Sequence, residues 1–195
     1  MGIIEALVRQ SGKPSGIVGR LMVKIMNQVD SGLNKWILEK INCPNGTVLD
    51  IGCGGGETIW QLLKNNRVNS IMGIDYSLDA VRVAEKKNAL FIKEKKAVIN
   101  QGTVTALLFP DNHFDIIVTV RSHYFWEDHE RAFTEIFRTL KPGGKMMVFS
   151  EQYKIQYHMK QYNTDDSMTH FLKTLGFINI IIENKTAIQC ITAEK

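Results

Sequence analysis

The chain has 195 residues, a net charge of +4 from 24 basic and 20 acidic side chains, and a hydrophobic share of 44%. These figures fit one ordinary soluble domain, and they exclude disorder as the main state because Leu, Ile, Val and Phe are abundant and net charge is low. The slight basic excess admits an anionic partner without requiring one. Nucleic acid is disfavoured, because the densest lysine run, Lys93 to Lys96, is broken by Glu94 and reads as a solvated helix face.

The cysteines, Cys43, Cys53 and Cys190, are odd in number and widely spaced. They form neither a zinc nor an iron–sulfur pattern, so no metal is expected and a reducing compartment suits them. No apolar run reaches the ~20 residues of a membrane span. The first ten residues carry Glu5, unlike a signal peptide, and Ala6, where myristoylation requires Ser or Thr. A cytoplasmic protein with no membrane association is expected.

Residues 1–16 are weakly patterned and read as an arm. Ile17, Val18, Leu21, Met22, Ile25, Met26 and Val29 recur at helical spacing, and Ser31-Gly32 interrupts them. Leu33, Trp36, Ile37 and Ile41 mark a second helical face, which Pro44-Asn45-Gly46 closes as a turn. Strands and helices then alternate. Thr47–Ile51, Ser70–Ile74, Ala97–Asn100, Phe114–Val120 and Lys145–Phe149 read as short buried strands. Helices are expected over Glu57–Lys64, after an N-cap at Ser77, over Glu127–Leu140, and from Thr164 or Asp165 to a stop at Gly176. Phe177–Ile182 and Ala187–Thr192 are the last two strands. The turn between them, at Glu183–Lys185, is too short for a crossover helix and implies an antiparallel hairpin. The pattern predicts an α/β fold, a doubly wound, mostly parallel seven-stranded sheet with an antiparallel C-terminal hairpin and helices on both faces. Such sheets bind ligands at the carboxyl ends of their strands, where strand order reverses. Chemistry is therefore expected just after Ile51, Ile74, Asn100, Val120 and Ser150.

The sharpest local signal is Val48-Leu-Asp-Ile-Gly-Cys-Gly-Gly-Gly-Glu57. A buried strand enters four glycines within five residues and then a helix, more glycine than a plain turn needs. Glycines there let a ligand approach the backbone, and the helix N-terminus favours a negative group. Glu57 stands where a P-loop requires Lys-Ser or Lys-Thr, and also where GxGxxG requires its third glycine. ATP and dinucleotide fingerprints both fail. The second signal is Gly73-Ile-Asp75-Tyr-Ser77, in which Asp75 ends a strand 25 residues after Asp50. An acid at that place can accept two bonds from a ribose diol, and with Ser77 as the helix cap Asp75 is expected to be left free for that task.

The motifs VLDIGCGGG, GIDYS, FPDNHFDIIVTV and LKPGG together resemble the class I, seven-stranded S-adenosylmethionine-dependent methyltransferases. Within that family the chain is similar to the small-molecule type related to quinone-biosynthesis methyltransferases. The resemblance covers residues 44–151 by motif and 33–195 by strand order. It implies a single methyltransferase domain over 1–195, with 1–43 as an arm and helical lid and 44–195 as a Rossmann-like core. It also implies S-adenosylmethionine as cofactor and S-adenosylhomocysteine as product. The cofactor-binding set it implies is Asp50, Gly52, Cys53, Gly54 and Gly56 toward the methionine side, Asp75 on the ribose, and Tyr76, Thr103 and Val104 around the adenine. Arg20 of the lid and Arg121 join that set as candidates for the cofactor carboxylate. Thr103 departs from the acidic residue usual after the glycine equivalent to Gly102, and Leu108 from a frequent proline.

A sulfonium is already an activated methyl donor, so aligning the nucleophile and excluding water dominate, and a base serves only an acceptor protonated at neutral pH. The fourth strand exits into Arg121-Ser-His-Tyr-Phe-Trp-Glu-Asp128, which is expected to face the acceptor. His123 is the candidate base. Tyr124 and Trp126 are candidate substrate-binding residues, with packing against the next helix as the equal alternative. Arg121 suits an anionic substrate, the cofactor carboxylate or a surface ion pair. Glu151 points to the same end of the sheet, and Tyr153–Thr164 could form a short lid. A small-molecule acceptor and a monomer or homodimer are expected. An RNA or protein methyltransferase, or a non-catalytic cofactor-binding module of the same fold, is the alternative. No Asn/Asp-Pro-Pro-Tyr sequence is present and no cysteine stands in the segment directly after the fourth strand, which argues against planar-nitrogen and cytosine-C5 chemistry.

Overall fold

The structure is a computed structural model and describes residues 31–195. The expected helix before Ser31 and the lid arginine Arg20 lie outside the described residues. Helix α1 covers 31–40 and buries Leu33, Trp36 and Ile37. Strand β1 (Val48–Ile51) follows the Pro44 turn, then α2 (Glu57–Lys64), β2 (Ile71–Asp75) and α3 (Leu78–Lys87). A short α4 (Ala89–Lys93) leads to β3 (Ala97–Gln101), and β4 (Phe114–Val120) to α5 (His129–Thr139). The chain ends with β5 (Leu140–Glu151), α6 (Gln152–His158), α7 (Asp165–Thr174), β6 (Ile178–Lys185) and β7 (Ile188–Glu194).

The seven strands form one sheet in the order β3-β2-β1-β4-β5-β7-β6. The pairs from β3 to β5 are parallel, whereas β5–β7 and β6–β7 are antiparallel, as the alternation implied. The chain walks outward from β1 to β3 and then returns to lay β4 on the other side of β1, so strand order reverses between β1 and β4.

Side-chain alternation divides the core between the two faces of the sheet. Leu49, Ile51, Ile117, Met146 and Val148 pack with Phe133, Ile136, Phe171 and Leu172 of α5 and α7. Val48, Ile116, Val118, Met147 and Phe149 pack with Trp36 and Ile37 of α1 and with Ile59 and Leu62 of α2. The central strands are therefore apolar on both faces along most of their length, and the one polar residue of β1, Asp50, shares the α1–α2 face with Val48.

Three local expectations differ from the structure, and one helix end that the sequence left open is set by a side chain. The C-terminal hairpin turns at Thr186-Ala187, where Thr186 has φ 56°, and Glu183–Lys185 belong to β6. Strand β5 starts at Leu140 rather than Lys145, because Leu140 pairs Phe114 before the Lys141–Gly144 excursion and Lys145 resumes opposite Ile116. The α3 helix stops at Asn88, whose side chain donates to Ala84 O and to Gly56 O, so a separate α4 follows. The Tyr153–Thr164 stretch contributes most of α6, which sets Ile155 into the core and packs on the 123–125 turn.

Candidate active site

The carboxyl ends of β1, β2 and β4 open into a cavity of about 1250 Å³. Ligand pockets run to roughly 300–1,000 Å³, so this open cleft is ample for a small-molecule site. Its floor is the glycine loop. Gly52 has φ 68°, and a Cβ there would lie 2.5 Å from Ser122 Oγ and 2.6 Å from Ser122 Cβ, so only glycine fits. Ser122 Oγ donates to Ile51 O at 3.2 Å and ties the β4 exit to the β1 exit. At Gly54 the space a Cβ would enter is empty to 4 Å, an open approach to the backbone on the cavity side.

Asp75 closes β2 and is buried. It is not left free, contrary to the expectation. Its Oδ2 accepts from Gly54 N at 2.9 Å and its Oδ1 from Ser77 N at 2.9 Å, while Ser77 Oγ caps α3 at Ala80 N. The carboxylate thus fixes the shape of the glycine loop. Each oxygen keeps a second lone pair for a ligand hydroxyl. Tyr76 beside it is 81% exposed and lines the cavity with Thr103 and Val104. Thr103 Oγ1 accepts from Thr105 N at 3.4 Å, which caps the short turn Val104–Ala106.

Asp50 lies under the loop at 1% exposure, and neither of its carboxylate oxygens has a partner among the described residues. Burial, and then the charge of Asp75, pushes its pKa up to about 7. Such a group is costly unless a cation or donor meets it. Cys53 is buried between the loop and Gly73, and burial raises its thiol well above the ordinary range, so the sulfur is inert.

The exit of β4 forms the opposite wall. Arg121 holds a left-handed φ of 58°, uncommon for a side chain of its size, and donates its N–H to Phe149 O at 2.8 Å. Its Nε lies 2.7 Å from Glu151 Oε1 at the end of β5. Glu151 is buried and also meets Lys154 at 3.5 Å and the Tyr124 hydroxyl, which donates at 3.1 Å. Arg121, Ser122, Phe125, Trp126 and Glu127 line the cavity.

His123 and Tyr124 do not. The His123 ring is 0% exposed, its Nδ1 lies 2.7 Å from Ser150 Oγ, and burial with the nearby His129 brings its pKa down to about 3. A ring held neutral behind the wall is not brought to an acceptor. Tyr124 is buried against His158 with its hydroxyl on Glu151, and burial and the Glu151 charge raise its pKa. Trp126 reaches the cavity while packing edge-on against Phe133 of α5, so lining and packing are both its work. Ser122, Phe125 and Glu127 belong to the segment expected to face the acceptor and do line the cavity, whereas sequence reasoning missed Asn88 as the buttress of Gly56. The positive φ of Gly52 and the approach of Ser122 have no signature in a single sequence.

A doubly wound sheet with this loop and acid at its reversal point is a Rossmann-like fold, and the methyltransferase domain family matches residues 49–148. The chain belongs to that family, and it shares the fold of S-adenosylmethionine-dependent methyltransferases of known structure. An uncharacterized methyltransferase of Bacillus subtilis, YdaC, is 28% identical over 125 residues, 64% of this chain and 67% of that protein. The demethylmenaquinone methyltransferase of Lactiplantibacillus plantarum is 30% identical over 104 residues, 53% of this chain and 44% of that protein, in keeping with the quinone-type resemblance. Phosphoethanolamine N-methyltransferase 2 of Haemonchus contortus, solved with S-adenosyl-L-methionine, superposes with a TM-score of 0.70 at 20% identity, over 84% of this chain and 52% of that one. The chain thus spans between 44% and 67% of the length of these proteins.

Proposed function

We propose that the chain methylates a small-molecule acceptor in the cytoplasm, as one domain and as a monomer or homodimer. The observation that carries this reading is the pairing of an open glycine loop with two acids of different standing, Asp75 bonded into the loop and Asp50 buried beneath it without a partner. These residues fit the cofactor: a buried, unpartnered carboxylate calls for positive charge, and the clear approach at Gly54 admits a ligand against the backbone. S-adenosylmethionine supplies a methyl group on a positively charged sulfur. In this reading Gly52, Cys53, Gly54 and Gly56 hold its methionine side, with Asp50 answering the positive charge there. Asp75 takes the ribose hydroxyls on its remaining lone pairs. Tyr76 covers the adenine, whose edge meets Thr103 and Val104.

Phe125 and Trp126 then exclude water from the acceptor and set its plane. No described histidine lines the cavity, so His123 acts through the wall and not as a base touching the acceptor. The rate comes from proximity and alignment, with an acceptor atom that is nucleophilic at neutral pH. The open cleft supports a small acceptor beside the donor. Among the described residues no helix is long and apolar enough to cross a membrane.

Calorimetric titration of ligand-stripped protein with S-adenosylhomocysteine, against NADH as control, tests the reading. Micromolar binding of the first, abolished by Asp75→Ala in a protein that remains folded, is expected. Absence of binding at millimolar ligand would overturn it.

A further inference from the structure

We propose that Arg121 is the anion-recognising residue of the acceptor site, and that Glu151 occupies it until the carboxylate or phosphate of an acceptor takes its place. The inference rests on the methyltransferase reading and adds the charge of the substrate to it.

Three observations carry it. First, Arg121 is the single cationic side chain among the described residues lining the cavity. Second, its place in the sheet separates it from the donor loop. It leaves β4 and its Nε turns to the end of β5, which is two strands from β1, roughly 10 Å at ordinary strand spacing. Of the acids of the cavity, Asp75 and Glu57 stand by the glycine loop, Glu57 ion-paired to Lys87, and Glu127 on the β4 exit is exposed. Third, Glu151 is over-supplied with partners. Lys154 and the Tyr124 hydroxyl both reach it, and Lys154 also donates to that hydroxyl at 3.2 Å. Releasing a guanidinium from a buried carboxylate is costly when it leaves the acid alone. Here Lys154 and Tyr124 stay behind, so Arg121 can exchange one oxyanion for another. Guanidinium suits this exchange because carboxylate and phosphate match its donor fork.

The test follows the Arg Nε–Hε signals by NMR in protein saturated with S-adenosylhomocysteine, the Arg121 signal being the one lost in Arg121→Gln. Inorganic phosphate and acetate are titrated separately at constant ionic strength, with chloride as control. The Arg121 signal is expected to shift saturably with phosphate or acetate and not with chloride. Whichever anion binds tells a phosphate acceptor from a carboxylate one. Glu151→Gln, which removes the internal competitor but keeps its shape, is expected to lower the half-saturating concentration by about tenfold. No saturable shift in either the parent protein or Glu151→Gln would overturn the proposal. So would an Arg121 signal that moves on adding S-adenosylhomocysteine and then ignores both anions, which would give the residue to the cofactor. Both failures leave the methyltransferase reading standing, because cofactor binding is established in the same sample. Failure of that reading shows instead as no binding of S-adenosylhomocysteine.

Discussion

Asp50 and His123 are both buried, and burial disfavours the charged form of each, with opposite consequences for pH. With its pKa raised from 3.8 to about 7, Asp50 keeps a proton in the folded chain that the unfolded chain has lost, so its contribution to stability falls as pH rises through that window. His123, depressed from 6.5 to about 3, refuses a proton that the unfolded chain accepts, so its contribution falls as pH drops through that range. Asp50→Asn should therefore leave stability unchanged near pH 3 and raise it by roughly 2–4 kcal/mol at pH 8, read by urea unfolding across pH. A pH-independent difference would remove the buried acid from the account. Cofactor binding should release a proton from Asp50 near neutral pH, seen as a binding heat that varies with the buffer's own ionisation heat. At Gly52 a methyl group meets Ser122, so Gly52→Ala should destabilise by about 1–3 kcal/mol and weaken S-adenosylhomocysteine binding. Adding Ser122→Gly should restore part of both losses, and a double variant no better than the single one would count against the contact. The glycine loop and Asp75 were legible because their residue types are costly in a buried strand exit. The second task of Asp75, shaping the loop through Gly54, was not, because it depends on an oxygen meeting an N–H 21 residues away.

Among the elements, those whose residues state their own ends were read closely. Helix α2 and strand β4 match their expected ranges, the first after a glycine run and the second as an unbroken apolar run. Thr164 caps α7 through a reciprocal pair with Ser167, and Gly176 follows it with φ 97°. Thr164→Ala should lower the thermal midpoint by the equivalent of about 1 kcal/mol and leave S-adenosylhomocysteine affinity unchanged, since this cap stands apart from the cavity. Elements fixed by distant partners were misjudged. β5 starts early because of Phe114, and the hairpin turn falls later because β6 follows β7 to Ile188. The loop before β4 has the same character. Arg138 of α5 donates to Phe109 O and Leu107 O and pairs with Asp111 and Glu135, gathering the FPDNHF segment onto α5. Arg138→Met leaves those carbonyls without their donor and should cost about 1–3 kcal/mol in urea unfolding. A change under a few tenths would mean that solvent replaces it.

At the scale of the whole molecule, strand order brings the chemistry together. The return of β4 to the side of β1 sets Ser122 against Gly52 and raises a wall of Arg121, Phe125 and Trp126 across from Asp75. The α/β alternation made that arrangement legible in outline, and the resemblance supplied the cofactor. The acceptor was not legible, because the wall across from the glycine loop is the β4 exit, held by contacts such as Arg121 with Glu151 that cross 30 positions of sequence. The fold alone does not name an activity. The most direct test of the central claim is to incubate the protein with methyl-labelled S-adenosylmethionine and whole-cell extract, and to separate small molecules, RNA and protein before counting. Label in the small-molecule fraction, lost with Asp75→Ala, is the result this account predicts. Label in RNA or protein alone, or none in any fraction from protein that binds S-adenosylhomocysteine, would contradict it.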